Sequence, residues 1–305
     1  MDFDYSDDQH LLMTAFESLL ERFRAPPPGQ HGYVAYSGEL QAELAASGFL
    51  EITGQPGFGL LEAAMMTEAA AHCPVSVELA ASAMLGAALG LAAPVAVAWG
   101  VGRPVRFLPV ARTVVVIEDG RVTAGTPCAD IARPVTGVAA YPIAVLSALP
   151  HDARQLSGTE AATVRRRALI GVAAEAAGLM RGAVGHTVQY VRERRQFGQP
   201  LGNFQAIQHR LAEDAQLVRA CRWLAFRAAY ADDAKEAAVA LLYAQEAMRK
   251  VINDCHQFSG AMGLTLEFPL HLWTYRLKVL QGEAGGRGAQ AGSVADQLWP
   301  LADAA

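Results

Sequence analysis

The stretch from Tyr190 to Leu211, YVRERRQFGQPLGNFQAIQHRL, forces a sharp corner into a sequence that otherwise favours helix. Glu160 to Arg195, leading into it, is Ala-rich and free of proline, as a long helix requires. Gly198 suits the left-handed conformation that ends a helix, and Pro200 cannot continue one. Asn203 is placed to cap a second helix, in which Phe204, Ile207, Gln208 and Leu211 follow at helical spacing. The corner also gathers donors: Arg192, Arg194, Arg195, Gln196 and Gln205 flank Phe197 and Phe204. Guanidinium groups match a phosphate bidentately, and the rings can cover an aromatic ligand.

Beyond the corner, Glu213 to Ala231 continues the second helix, with Leu217, Cys221, Leu224 and Ala228 along an apolar face. Lys235 to Met262 reads as a third helix closed by Gly260 to Gly263, and Leu270 to Leu280 as a fourth. These make an up-and-down four-helix bundle over residues 151–305. Ala174, Gly178, Gly182 and Gly185 fall near one stripe of the first long helix, which tight packing against a neighbour explains.

Residues 1–94 read as an all-helical N-terminal domain. Tyr5 to Phe23 is amphipathic, with Leu11, Leu12, Ala15, Phe16, Leu19, Leu20 and Phe23 on one face and Ser6 as its cap. Asp7 and Asp8 sit where the helix dipole favours anions. The segment Ala25 to Gly29, with three prolines, ends it. Glu39 to Ser47, Leu60 to His72 and Val77 to Leu91 are further helices, Gly48 stops the first of these, and residues 49–59 read as a loop. Residues 95–150 change texture to short β-like runs, Val95 to Trp99, Val105 to Leu108, Thr113 to Ile117 and Val122-Thr123. Asp119-Gly120 supplies the positive-φ positions of a hairpin turn.

A formal charge of −5 over 305 residues, with basic residues scattered, gives no footprint for nucleic acid. Cys73, Cys128, Cys221 and Cys255 lie far apart without metal spacing and read as reduced thiols of a cytoplasmic protein. His186, His209, His256 and His271 likewise lack ligand spacing, so no metal site is expected. The acidic opening Met1 to Asp4 does not read as a leader. Pro94 and several glycines break the apolar run from Leu79 to Trp99, which fits a buried helix better than a membrane span. Arg165-Arg166-Arg167 reads as a solvated helix start rather than a phosphate site.

The segment from Glu193 to Ala212 resembles, without a gap, the flavin-contacting segment of the acyl-CoA dehydrogenase family. Asp2-Phe3-x-x-Ser6-x-x-Gln9 and Leu44-x-x-x-Gly48-Phe49-Leu50 are similar to that family's first domain. The resemblance implies a mostly α fold: an N-terminal helical domain, a middle β-domain and a C-terminal four-helix bundle. It also implies an FAD lying across the interface of two subunits. Carried over residue by residue, Arg194 matches the arginine at the FAD pyrophosphate and Gln196 its polar neighbour. Phe197, Phe204 and Gln205 match the segment beside the adenosine. Gln257-x-x-Gly260-Ala261 matches the Gln-x-x-Gly-Gly loop at the diphosphate, with Ala261 in place of the second glycine.

Two departures set this chain apart. Its β-domain is shorter than the family's, and Ala124 to Asp130 is too poor a counterpart of the ring-binding Thr-Glu-Pro-x-x-Gly-Ser-Asp segment to carry its role. The family's two alternative positions for the base that removes the α-proton hold Ala284 and Ala168, so no catalytic residue is assigned. Together these resemble the small subunit of α2β2 acyl-CoA dehydrogenases of steroid side-chain degradation. The resemblance then implies a larger catalytic partner supplying the glutamate base, a steroid side-chain CoA thioester as substrate, and an electron-transferring flavoprotein as acceptor. Two other readings stand beside it: a homomeric enzyme using Glu283 as base, and a flavin-free structural or regulatory subunit.

Overall fold

The computed structural model describes residues 4–27 and 32–299. Asp2-Phe3 of the opening motif and Pro28-Gly29 of the proline segment lie outside the described residues. Helix α1 (Asp7–Leu20) begins on a capping box: Ser6 Oγ accepts from the Gln9 backbone N–H, and Gln9 Oε1 accepts from that of Ser6. It buries Leu12, Phe16 and Leu20, a single i, i+4, i+8 line, while Leu11 is 70% exposed and Ala15 also faces solvent. Met13, Leu19 and Phe23 pack partly buried on the same core, so of the expected face Leu11 and Ala15 turn to solvent. Helices α2 (Gly38–Ala46), α3 (Leu60–Ala71) and α4 (Ala80–Leu89) follow, and residues 49–54, expected as loop, form a 3₁₀ helix after left-handed Gly48.

Seven short strands come next: β1 (Val95–Ala98), β2 (Pro104–Arg106), β3 (Thr113–Glu118), β4 (Arg121–Gly125), β5 (Ala132–Pro134), β6 (Ile143–Leu146) and β7 (Arg154–Gln155). One sheet has the order β1-β3-β4-β7, with β1 and β3 parallel, and the other is antiparallel β2-β6-β5. Ala96, Val105, Val114, Val116, Ala144 and Leu146 form the core between the sheets. Val115 of β3 points the other way, into the main helical core. Burial on both faces explains why β3 reads as an unbroken valine run. The β3–β4 turn places Asp119 at φ 45° and Gly120 at φ 75°, as the Asp-Gly pair predicts.

The C-terminal half is built on α5 (Gly158–Glu193), 36 residues long, which packs against α3, α4 and the later helices α6 (Gln205–Ala231), α7 (Ala234–Ser259) and α8 (His271–Leu280). A last helix, α9 (Gly286–Leu298), which its Gly, Ser and Gln content hides from a reading of periodicity, packs on α7. Among the described residues α5 is the one helix long and apolar enough to cross a membrane, and 83% of its apolar window is buried inside the protein. The Leu79 to Trp99 run splits into α4 and β1. Two of the stripe glycines let neighbours in closely: a Cβ on Gly178 would lie 2.1 Å from the Glu68 carbonyl oxygen, and one on Gly182 would meet Trp273. Gly185 faces open space. Arg166 and Arg167 both bind Asp232 at the α6–α7 turn, and Arg165 donates to the Gly120 carbonyl, so the arginine run clamps elements together.

Candidate functional site

Where α5 ends, the chain does not turn directly into the next helix. Arg194 is its C-cap in extended conformation, and a two-residue hairpin follows, with β8 (Arg195–Gln196) paired to β9 (Gln199–Pro200). Its turn residues, Phe197 (φ 53°) and Gly198 (φ 82°), both adopt the positive φ of a hairpin turn. Gly198 is thus left-handed as expected, but it closes a hairpin rather than a helix. Asn203 does not cap α6. It lies in a 3₁₀ turn (Leu201–Asn203), the N-cap position is Phe204 without a side-chain bond, and Gln208 donates instead to the Gly202 carbonyl. The extra turn separates Asn203 from the helix it was expected to start.

Phe197 is 87% exposed at the hairpin tip, with its ring edge-on to half-buried Phe204 at 6.1 Å. Arg194, Gln196 and Gln205 are exposed, and among the described residues no ion pair engages the Arg194 guanidinium. A small apolar cluster of Val191, Leu211 and Phe258, with Leu201 and Ile207 packed on it, ties the corner to the C-terminal end of α7. Arg210 lies over the Phe258 ring at 4.8 Å and pairs with Asp254. Gln257, next to Phe258, is exposed, as are Gly260 (φ 57°) and Ala261 in the turn that follows. The two predicted ligand segments therefore share one supporting cluster.

The two alanines that the resemblance puts at the base positions lie elsewhere, beside a buried ionic network. Ala168 on α5 faces a cavity of about 20 Å³ lined also by Ala80, Trp99, Arg106, Gly171 and Glu283. Arg106 donates to Glu175 Oε2 at 2.5 Å and to Glu283 Oε1 at 3.1 Å. The second Glu283 oxygen accepts from the Trp99 indole N–H, and Tyr141 donates to Glu175 Oε1 at 2.7 Å. Burial pushes the Glu283 carboxyl up, while Arg106 and Trp99 act in the opposite direction. Burial also opposes the Arg106 charge, but Glu175 and Glu283 outweigh it and hold the guanidinium protonated. Glu283 thus uses both oxygens inside the protein. Ala284, in a kinked turn at φ 53°, lines an open groove with Trp99, Arg165, Arg166 and Leu169.

Residues 159–299 match the family model described as Acyl-CoA dehydrogenase, C-terminal domain. The chain overlays on one chain of the ChsE4-ChsE5 complex from Mycobacterium tuberculosis with a TM-score of 0.78 at 19% identity, covering 99% of this chain and 100% of that one. A variant of the Tcur3481-Tcur3483 steroid ACAD gives 0.78 at 22% identity, covering 96% and 98%. The chain has the acyl-CoA dehydrogenase fold. In sequence, it is 33% identical over 134 residues to the 3-(aryl)acrylate reductase of Clostridium sporogenes (strain ATCC 15579), which is 42% of this chain and 36% of that protein. The chain matches about a third of the length of the curated relatives, so the match is confined to one part of them.

Spacing does not point to the Arg106 network, whose members lie far apart in sequence. Two cues are present nonetheless: Arg106 interrupts an apolar strand run, and Glu175 is the one acid in the Ala-rich middle of α5. The four cysteines are free thiols, with Cys73, Cys221 and Cys255 buried. Cys128 is not isolated, because its sulfur lies within 4.8 Å of ligand atoms on Asp130 and His151.

Proposed function

We propose that this chain is the small, non-catalytic subunit of a heterotetrameric FAD-dependent acyl-CoA dehydrogenase, holding the ADP half of a flavin that bridges two subunits. The observation that carries the reading is the state of the place where a base would work. Ala168 stands there without a carboxylate, and Arg106, Glu283 and Trp99 fill the space down to a cavity of about 20 Å³. Pockets for drug-sized ligands occupy hundreds of cubic ångströms (about 300–1,000 Å³), so no acyl chain fits beside Ala168.

The exposed corner supports the other half of the reading. Arg194 is an exposed guanidinium, Gln196 and Gln257 are exposed amides, and Phe197 holds an aromatic face out to solvent. These are the groups that neutralise a pyrophosphate and cover an adenosine, so Arg194, Gln196 and Gln257 would hold the diphosphate and Phe197, Phe204 and Gln205 the nucleoside side. Gly260 and Ala261 would supply the close turn beside it. A flavin accepts the hydride in acyl-CoA desaturation, and the proton-abstracting glutamate would come from the larger partner. A steroid side-chain CoA thioester is the proposed substrate and an electron-transferring flavoprotein the proposed acceptor. The engagement of both Glu283 oxygens weighs against a homomeric enzyme using that residue as base.

The test is FAD retention by the co-purified complex. Arg194→Ala removes a charge-assisted contact of about 1.5–3 kcal/mol, so FAD should be held roughly ten- to a hundredfold more weakly while the two subunits still co-purify. Unchanged FAD content would remove Arg194 from the site. An active larger subunit that holds the same FAD with and without this chain would make the chain a flavin-free partner instead.

A further inference from the structure

Two of the connections between the β-sheets meet at a cluster of side chains away from the corner at Arg194. Cys128 and Asp130 lie on the β4–β5 connection, His151 and Asp152 on the β6–β7 connection. One donor atom from each of Cys128, Asp130 and His151 lies within 4.8 Å of the others, and His151 Nε2 is 2.8 Å from Asp130 Oδ2. We propose that Cys128, Asp130 and His151 form a binding site for a borderline-soft divalent ion of the zinc class.

The donor set suits that ion. Zinc takes thiolate sulfur, imidazole nitrogen and carboxylate oxygen, commonly from three protein groups with a fourth position left for water. Bond lengths of about 2.0–2.3 Å place tetrahedral donors roughly 3.3–3.8 Å apart, within reach of small side-chain rotations from the arrangement here. Asp130 and His151 are exposed and Cys128 half-buried, so the fourth position opens to solvent.

The backbone is already set for this. The Ile131 and Ala132 N–H groups both donate to the Cys128 carbonyl, which fixes the Cys128–Asp130 spacing in a turn. Across the gap, Thr126 binds Asp152 through its backbone N–H at 2.8 Å and its hydroxyl at 2.7 Å, pinning the two connections side by side. Gly125 makes the approach possible. A Cβ there would lie 2.7 Å from Pro150 Cβ and 2.8 Å from Asp152 Oδ1. The ion would staple two of the sheet-to-sheet crossovers, β4–β5 and β6–β7, at one point. The site does not depend on the flavin reading.

The experiment is a titration of metal-stripped full-length chain with Co²⁺, followed by displacement with Zn²⁺. One equivalent of Co²⁺ should produce a near-ultraviolet thiolate-to-cobalt band, and one equivalent of Zn²⁺ should bleach it. Cys128→Ser should abolish the band, and His151→Ala should weaken binding at least roughly tenfold, the loss of one of three ligands. Gly125→Ala should weaken it comparably by forcing the connections apart, without touching a ligand. Cys73, Cys221 and Cys255 are buried and serve as internal controls. Absence of the band in the wild-type chain, or its persistence in Cys128→Ser, overturns the site.

Discussion

His72 is held neutral by its surroundings. It is the C-cap of α3, its carbonyl accepts from the Trp273 indole at 2.9 Å, and its Nδ1 lies 2.5 Å from an Arg24 nitrogen. Since Arg24 can only donate, Nδ1 must accept, which the protonated ring cannot do. Burial first, then the charges of Arg181 and Arg24, push the imidazole down to about 3 from its usual 6.5. The unfolded chain takes up a proton below pH 6.5 while the folded one does not, so stability falls as pH drops from 6.5 towards 3. The limiting slope for one group is about 1.4 kcal/mol per pH unit. In His72→Gln, whose amide oxygen can still accept from Arg24, the loss of stability between pH 6.5 and 5 should be shallower by up to that slope. Parallel denaturant-derived profiles for the two proteins would show that another group sets the dependence. Little of this was legible in the sequence, because His72 owes its state to Arg24 and Arg181 from distant segments. The same distance hid His151 from any spacing rule. Gly198 was legible as left-handed, but its neighbour Phe197, a residue type that rarely takes positive φ, gave no sign of sharing the turn.

At the scale of elements, the glycines of α5 separate packing from propensity. Gly178 and Gly185 occupy the interior of one helix, yet one touches the α3 backbone and the other faces open space. Gly178→Ala should destabilise by about 1–3 kcal/mol or more, because the Cβ meets a backbone carbonyl that cannot rotate away. Gly185→Ala should stabilise by about 0.5–1 kcal/mol through the lost flexibility of the unfolded chain. Equal and small effects in urea denaturation would mean that α3 and α5 are not in close contact. The long helices were legible because periodic apolar positions add up over many residues, and caps such as Ser6 mark their starts. Strands β5, β6 and β7, at two to four residues, carry too few alternations to register. Helix α9 lacks a strong apolar stripe altogether and buries only Gly286 and Gln290 among its residues.

For the whole molecule, two features underlie the proposed dependence on a partner. The space beside Ala168 is closed by Arg106 and Glu283, while the corner at Arg194 and Phe197 lies open. An enzyme that worked alone would need the reverse: room beside the base and a covered cofactor. That the chain turns at the corner was legible because its glycine and proline are contiguous with the helix ends, but the hairpin and the 3₁₀ turn were not. The closure was not legible, since nothing in the residues around Ala168 says that Arg106 from β2 fills the space beside it. The expected consequence is a dependence on a partner. Expressed alone, the chain should carry no flavin absorbance and no acyl-CoA dehydrogenase activity. Co-expressed with a larger dehydrogenase-like chain that supplies a glutamate base, it should yield a yellow heterotetramer with roughly half a flavin per chain, because each cofactor is shared by two subunits. Light scattering gives the mass and absorbance the flavin ratio. A yellow, active assembly of this chain by itself would mean that Glu283 leaves Arg106 and Trp99 to act as a base, and Glu283→Gln would then abolish its turnover.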